Sequence, residues 1–147
     1  MTLLPMLISG GLAIDDRGAL QFANDFDLSA YKRFYIIRNH ESRFVRAWHA
    51  HKIEGKAFTV IDGAAVIGAV QVTDWDNPDR SVTPQRVVLS SAMPSVYVIP
   101  PGFANGLMTL QPNTEVLVFS TLAIDDAMKD DFRFDSRYWN IWSIEER

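Results

Sequence analysis

The 147 residues carry a formal charge of -4, with 48% hydrophobic and 22% charged side chains, the balance of one globular domain whose core can form without staples. No basic excess or stripe marks a nucleic-acid partner, although a local pair of arginines is enough to serve a diphosphate. There is no cysteine, which removes disulfides and thiolate metal sites and agrees with a reducing compartment.

The first eleven residues are apolar but short. They lack a positively charged lead and are broken by Pro5, so a signal peptide is not expected. No run approaches the about 18 apolar residues of a membrane span. The expectation is a soluble, cytoplasmic, single domain covering residues 1–147.

Short β-rich runs then follow one another with little helical periodicity. Residues 33–37 form an aromatic and β-branched run, followed by 56–61 and, after Asp62 and Gly63, by 64–73. An Asp-Gly dipeptide favours a tight hairpin turn, so these two runs are expected to pair antiparallel. Residues 74–81 are polar and contain Pro78, which reads as a loop. Further strands are expected at 86–90, 96–99, 106–110 and 115–121, with 111–114 as a hairpin loop. Residues 125–131 are weakly helical, and 138–142 are extended and aromatic. Many short strands at roughly 8–12-residue spacing predict a β-sandwich or barrel.

The segment from Arg46 to Lys52 carries the chemistry. His49 and His51 are two apart, so a strand points both to one face, while Arg46 falls on the other face of a regular strand. Two imidazoles facing a barrel interior suit proton transfer or metal ligation, because histidine titrates near neutral pH. The alternative is a pair of satisfied interior polar groups. About fifty residues on, Pro100, Gly102 and Asn105 lie in a rigid turn. His-x-His followed by Pro-x-Gly-x-x-His is the general cupin signature, and here Asn105 stands at the third histidine. A transition-metal site of that type wants three imidazoles and usually a carboxylate, so no metal or other cofactor is expected. Of Trp48, Trp75, Trp139 and Trp142, at least two are expected in the core, with Trp75 the one most exposed.

From about Asp16 to Trp142 the chain resembles the dTDP-4-dehydrorhamnose 3,5-epimerases and the related dTDP-sugar 3,4-ketoisomerases. The matching pieces are Arg17-Gly18 with Phe22, Arg46 with His49, Gly55-Lys56, Pro84 to Ser90, Ile99 to Gly106, and Asp135 with Ile141-Trp142. The resemblance implies an all-β, jelly-roll-like cupin barrel (a double-stranded β-helix) acting on a nucleotide-linked 4-keto sugar. It implies His49 as catalytic base, Asp135 as its carboxylate partner and Lys56 as the stabiliser of an enolate oxygen. Arg17 and Arg46 become candidates for the diphosphate, and Asn105 for a substrate contact.

Two positions depart from the epimerases. No tyrosine follows the run 115–121, where they carry their proton donor, and Asn105 replaces their histidine. By contrast, His49-Ala50-His51-Lys52 and Lys32-Arg33-Phe34-Tyr35 resemble the ketoisomerases, which adds His51 and Tyr35 to the candidates. The resemblance therefore implies an epimerase of surface polysaccharide or deoxysugar biosynthesis, with a 3,4-ketoisomerase or a non-catalytic sugar-nucleotide binder as the alternatives. It further implies a homodimer, often built in this family by exchange of N-terminal strands, for which the apolar stretch 3–12 is suited.

Overall fold

The computed structural model describes residues 3–147. Strands β1 (Met6–Ser9), β2 (Gly11–Asp15) and β3 (Gly18–Phe22) come first, then β4 (Arg33–Ile37), β5 (Val45–His51), β6 (Lys56–Asp62) and β7 (Ala64–Gln71). They are followed by β8 (Gln85–Ser90), β9 (Ser95–Ile99), β10 (Phe103–Thr109), β11 (Glu115–Ser120), the single-turn helix α1 (Ile124–Ala127) and β12 (Phe132–Arg133). One five-stranded sheet runs β1-β9-β6-β11-β4, and a second runs β12-β5-β10-β7-β8. Every pairing in them is antiparallel. Strands β2 and β3 form a separate hairpin. The architecture is the expected all-β cupin jelly roll.

Two clusters of apolar side chains hold it together. Phe58, Ile67, Leu89, Tyr97, Leu107 and Val118 fill the space between the sheets. Trp48, Val66, Val70, Met108, Trp139 and Trp142 form the second cluster, in which the C-terminal segment packs on the outer face of the second sheet. Strand β7 is therefore covered on both faces, which is why its sequence is apolar almost without alternation. Three of the four tryptophans are core, and Trp75 is half-buried against Phe132.

The Asp62-Gly63 pair does not make a hairpin. Strand β6 pairs with β9 and β11, while β7 pairs with β8 and β10. The turn instead carries the chain from one sheet to the other. Gly63 has φ of +85°, and a Cβ there would lie 2.3 Å from the Thr114 hydroxyl, so the corner accepts only glycine. Residues 111–114 likewise connect strands of different sheets, β10 and β11, and are not a hairpin loop. Both corrections have one cause: turn chemistry specifies a reversal, but burial of β7 on two faces decides which neighbours it pairs with. Strand β10 also begins at Phe103, three residues earlier than expected, because only 100–102 form the turn. Of the tail 138–142, expected to be extended, residues 138 and 139 belong to a turn over 136–139.

Candidate active site

A cavity of about 270 Å³ opens between the β4 edge of one sheet and the β5–β12 edge of the other. Its walls come from β4 (Arg33, Tyr35), β5 (Arg46, His49, His51), β6 (Lys56, Phe58) and β10 (Asn105, Leu107), with Glu54 at its base and α1, Asp131 and Arg133 at its rim. All three β5 side chains share this wall because the strand is irregular. Asn105 pairs with His49, but the next residue, Gly106, pairs with Ala47. Trp48 is the extra residue of the bulge and turns outward into the aromatic cluster, which brings Arg46 back to the face of His49 and His51. A regular strand would have sent Arg46 away, as the spacing predicted.

His51 is buried and its Nδ1 lies 2.6 Å from the carbonyl oxygen of Asp130. A carbonyl only accepts, so the imidazole donates from Nδ1 and presents a bare Nε2. That Nε2 is buried without a hydrogen-bond partner, 3.6 Å from Glu54 Oε1. Burial lowers the His51 pKa first of all, and Lys56 adds to this. The bond to Asp130 and the charges of Glu54 and Asp130 work the other way. His49 has less support. Burial, then Arg133 and Lys56, push its pKa down to about 4, opposed by Asp131. Both imidazoles are neutral at pH 7, and His51 has more around it that restores basicity, the Asp130 bond and the charges of Glu54 and Asp130 against Asp131 alone for His49.

Glu54 organises the cavity floor, and the sequence reading gave it no role. Its Oε1 lies 3.3 Å from Lys56 Nζ, and its Oε2 lies 3.3 Å from the Arg33 guanidinium and accepts from the Ser120 hydroxyl at 2.9 Å. Lys56 in turn donates to the Tyr35 hydroxyl at 2.9 Å. An ammonium only donates, so the phenol oxygen accepts this bond and keeps its own proton available for another acceptor. Glu54 reaches this place because Asp130, far along the chain, binds the backbone N–H groups of Lys52, Ile53 and Glu54, each at 2.8 Å. Burial opposes ionisation of Asp130, but these three donors prevail and lower its pKa. No local spacing signals this clamp.

The structure thus brings together His49, His51, Lys56, Tyr35, Arg46 and Asn105. It does not bring Asp135 or Arg17. Asp135 is exposed on the turn after β12 and its carboxylate caps the N–H of Arg137 at 2.8 Å; the carboxylate whose charge acts on His49 is Asp131, itself paired with Arg133 at 3.1 Å. Arg17 sits on the β2–β3 turn, 86% exposed and paired with Asp15. Asn105 faces His49 across the β5–β10 ladder, so the donor set lacks the third imidazole and does not fit the three-histidine centre of metal-binding cupins. Among the described residues no group of three or more histidine, aspartate or glutamate side chains is arranged to hold a metal ion, and no helix is long and apolar enough to cross a membrane.

No protein-family model matches the chain, and the search of curated proteins gives no match. The fold itself is shared with solved cupins. The sugar 3,4-ketoisomerase QdtA of Thermoanaerobacterium thermosaccharolyticum, in complex with TDP, superposes with a TM-score of 0.67 at 19% identity, over 95% of this chain and 94% of that one. The dTDP-4-dehydrorhamnose 3,5-epimerase of Bacillus anthracis, with TDP and PPi bound, gives 0.74 at 19% identity, over 97% and 86%. The dTDP-6-deoxy-D-glucose-3,5-epimerase RmlC of Legionella pneumophila, in complex with dTDP-4-keto-L-rhamnose, gives 0.73 at 18%, over 97% and 80%.

Proposed function

We propose that the protein is an isomerase of a nucleotide-linked 4-keto sugar, and that its cavity moves the carbonyl between C4 and C3. The observation that carries this reading is the bare, buried Nε2 of His51, fixed by the Asp130 carbonyl on the same wall as His49 and across from the Lys56–Tyr35 pair. The folds that resemble this one belong to enzymes of both outcomes, so the choice between them rests on the site.

A ketone at C4 acidifies the C3 proton. His51 Nε2 takes that proton, the electron pair forms the C3–C4 double bond, and negative charge collects on O4. The Lys56 ammonium and the Tyr35 hydroxyl lie where such an oxygen would be stabilised. Protonation of O4 and C4, with loss of the proton on O3, leaves a ketone at C3 and a hydroxyl at C4. Atoms and electrons balance without an external oxidant, and His49 supplies a second base on the same wall for the shuttle.

Return of the proton to the opposite face of C3 would make the same cavity an epimerase. That reading is supported by the likeness of the fold to 3,5-epimerases, whereas two imidazoles on one wall reach only one face of the ring. It has against it the outward position of Asp135 and the absence of a tyrosine after β11. Arg46, Arg33 and Arg133 against Asp131 and Glu54, with Lys56, give the walls a net positive charge suited to an anionic substrate. We also propose a homodimer, supported by the exposed apolar side chains Leu3, Leu4, Met6 and Leu7 before and along β1, and a cytoplasmic location, with which the cysteine-free sequence agrees.

The test is proton NMR of dTDP-4-keto-6-deoxyglucose incubated with the protein in heavy water, with His51→Asn as control. A ketone relocated to C3 supports carbonyl transfer. Deuterium at C3 or C5 with the ketone retained at C4 makes the protein an epimerase. No exchange with this and a GDP-linked keto sugar would leave a binding protein.

A further inference from the structure

An imidazole base works best beside a carboxylate that orients the ring and offsets the charge it takes up. Asp135, which the sequence offers for this, lies outside the cavity with its oxygen on the Arg137 N–H. Three other carboxylates lie near the two histidines. Asp131 is at the rim and already paired with Arg133 at 3.1 Å. The Asp130 carboxylate is occupied by the backbone N–H groups of Lys52, Ile53 and Glu54. Glu54 remains, and its two oxygens have different surroundings. Oε2 lies 3.3 Å from the Arg33 guanidinium and accepts from the Ser120 hydroxyl at 2.9 Å. Oε1 has Lys56 Nζ at 3.3 Å and His51 Nε2 at 3.6 Å.

That last distance has a chemical reason. The His51 proton sits on Nδ1, which donates to the Asp130 carbonyl at 2.6 Å, so Nε2 presents a lone pair to a carboxylate oxygen. Two acceptors repel and stay beyond hydrogen-bond distance. Once Nε2 takes a proton, the same two atoms become a cationic donor and an anionic acceptor, a pair that closes to about 2.7–2.9 Å. Nε2 is shut off from solvent, so Oε1 is the acceptor within its reach. The spacing is held from both sides. Asp130 fixes Nδ1 with its carbonyl and the 52–54 turn with its carboxylate, so one residue places imidazole and carboxylate together. On the outer side Lys52 lies 5.2 Å from the Trp75 ring centroid and 4.8 Å from that of Phe132, which steadies the start of the turn.

We infer that Glu54 is the carboxylate partner of His51, a positioning residue that acts through the imidazole by holding the cation formed when Nε2 takes a proton from the substrate. The inference rests on the keto-sugar reading above and adds to it the residue that makes His51, rather than His49, the base. Around His51, burial and Lys56 favour the neutral ring, while the Asp130 carbonyl, Glu54 and the Asp130 charge favour the charged one. His49 stands beside it on β5 and opposes a second charge.

NMR of the histidine rings across a pH series, on the whole protein without substrate, tests the pairing. Glu54→Gln removes the anion and is expected to move the His51 titration to lower pH. Lys56→Met removes the opposing cation and is expected to move it to higher pH. Loss of floor packing alone would move both variants the same way. With dTDP-4-keto-6-deoxyglucose, Glu54→Gln is expected to lower kcat by about 10²-fold with KM changed by less than about threefold. Glu54→Asp keeps the charge but draws it back by one methylene. It is expected to show a smaller shift in the same direction and part of the activity, and it carries the test if the glutamine variant does not fold. An unmoved His51 titration in the Glu54 variants overturns the inference, and so do shifts of Glu54→Gln and Lys56→Met in the same direction. A Glu54→Gln kcat within about twofold of the parent overturns it as well. If the parent itself turns over no keto sugar, the keto-sugar reading fails and the titration alone decides the pairing.

Discussion

Replacing Glu54 by glutamine keeps the shape of the cavity floor and removes its one deeply buried negative charge. The carboxylate is 1% exposed and faces Arg33, Lys56 and the Ser120 hydroxyl. Breaking a buried ion pair costs about 3–5 kcal/mol, because the surviving charge stays out of water uncompensated. Here Arg33 keeps 24% and Lys56 11% of its side chain exposed. Glutamine can still accept from Ser120, so the loss is set at about 2–3 kcal/mol. In a chain of 147 residues each kcal/mol moves Tm by about 2–4 °C. Thermal unfolding followed by circular dichroism should therefore show Tm lower by about 4–12 °C. Adding Lys56→Met to Glu54→Gln should cost less than the sum of the two single changes, since the cation left stranded by the first is removed by the second. A Glu54→Gln variant within about 2 °C of the parent, or strict additivity in the pair, would refute the view that this carboxylate holds the floor together.

Acid should destabilise the fold through His49. Its folded pKa of about 4 lies below the ordinary value of 6.5, so the unfolded chain binds the extra proton first. The stabilisation is complete above about 6.5 and is lost as pH falls towards 4. Discounted for its partial exposure, it amounts to about 1–2 kcal/mol; urea unfolding at pH 7 and 4.5 should show His49→Gln losing that much less than the parent. Gly106→Ala should cost about 1–3 kcal/mol by overpacking, since its Cβ would lie 2.5 Å from the Ala47 methyl and 3.0 Å from the Trp142 ring, and chemical denaturation measures it. In the heavy-water assay His51→Asn should lower the exchange rate by about 10²–10⁴-fold as a lost general base, whereas Asp135→Ala, outside the cavity, should change it by less than about twofold.

Much of this protein can be read from local pattern. Alternation and turn residues locate most strands of both sheets, though not β1 or β12, since a half-buried strand must alternate and a reversal needs glycine, proline or a short polar side chain. The pair His49 and His51 shares a face because strand period is two, whatever the fold. The tertiary structure decided the remainder, for reasons that lie in distant partners. Whether the Asp62-Gly63 turn pairs β6 with β7 or separates them depends on which strands compete for the faces of β7. Arg46 enters the cavity only because Trp48 leaves the strand for a slot beside Gly68, with Trp139 and Trp142 closing over it. Glu54 becomes the floor of the site only because Asp130 grips the backbone before it. Asp135 matches a family position in sequence yet lies outside the cavity, since the turn after β12 spends its carboxylate on its own backbone. Sequence by itself determined which residues could do proton chemistry, because that is a property of side-chain type and strand period. Which of them face one cavity was decided by a bulge, a clamp and a turn, each made by contacts between residues far apart in the chain.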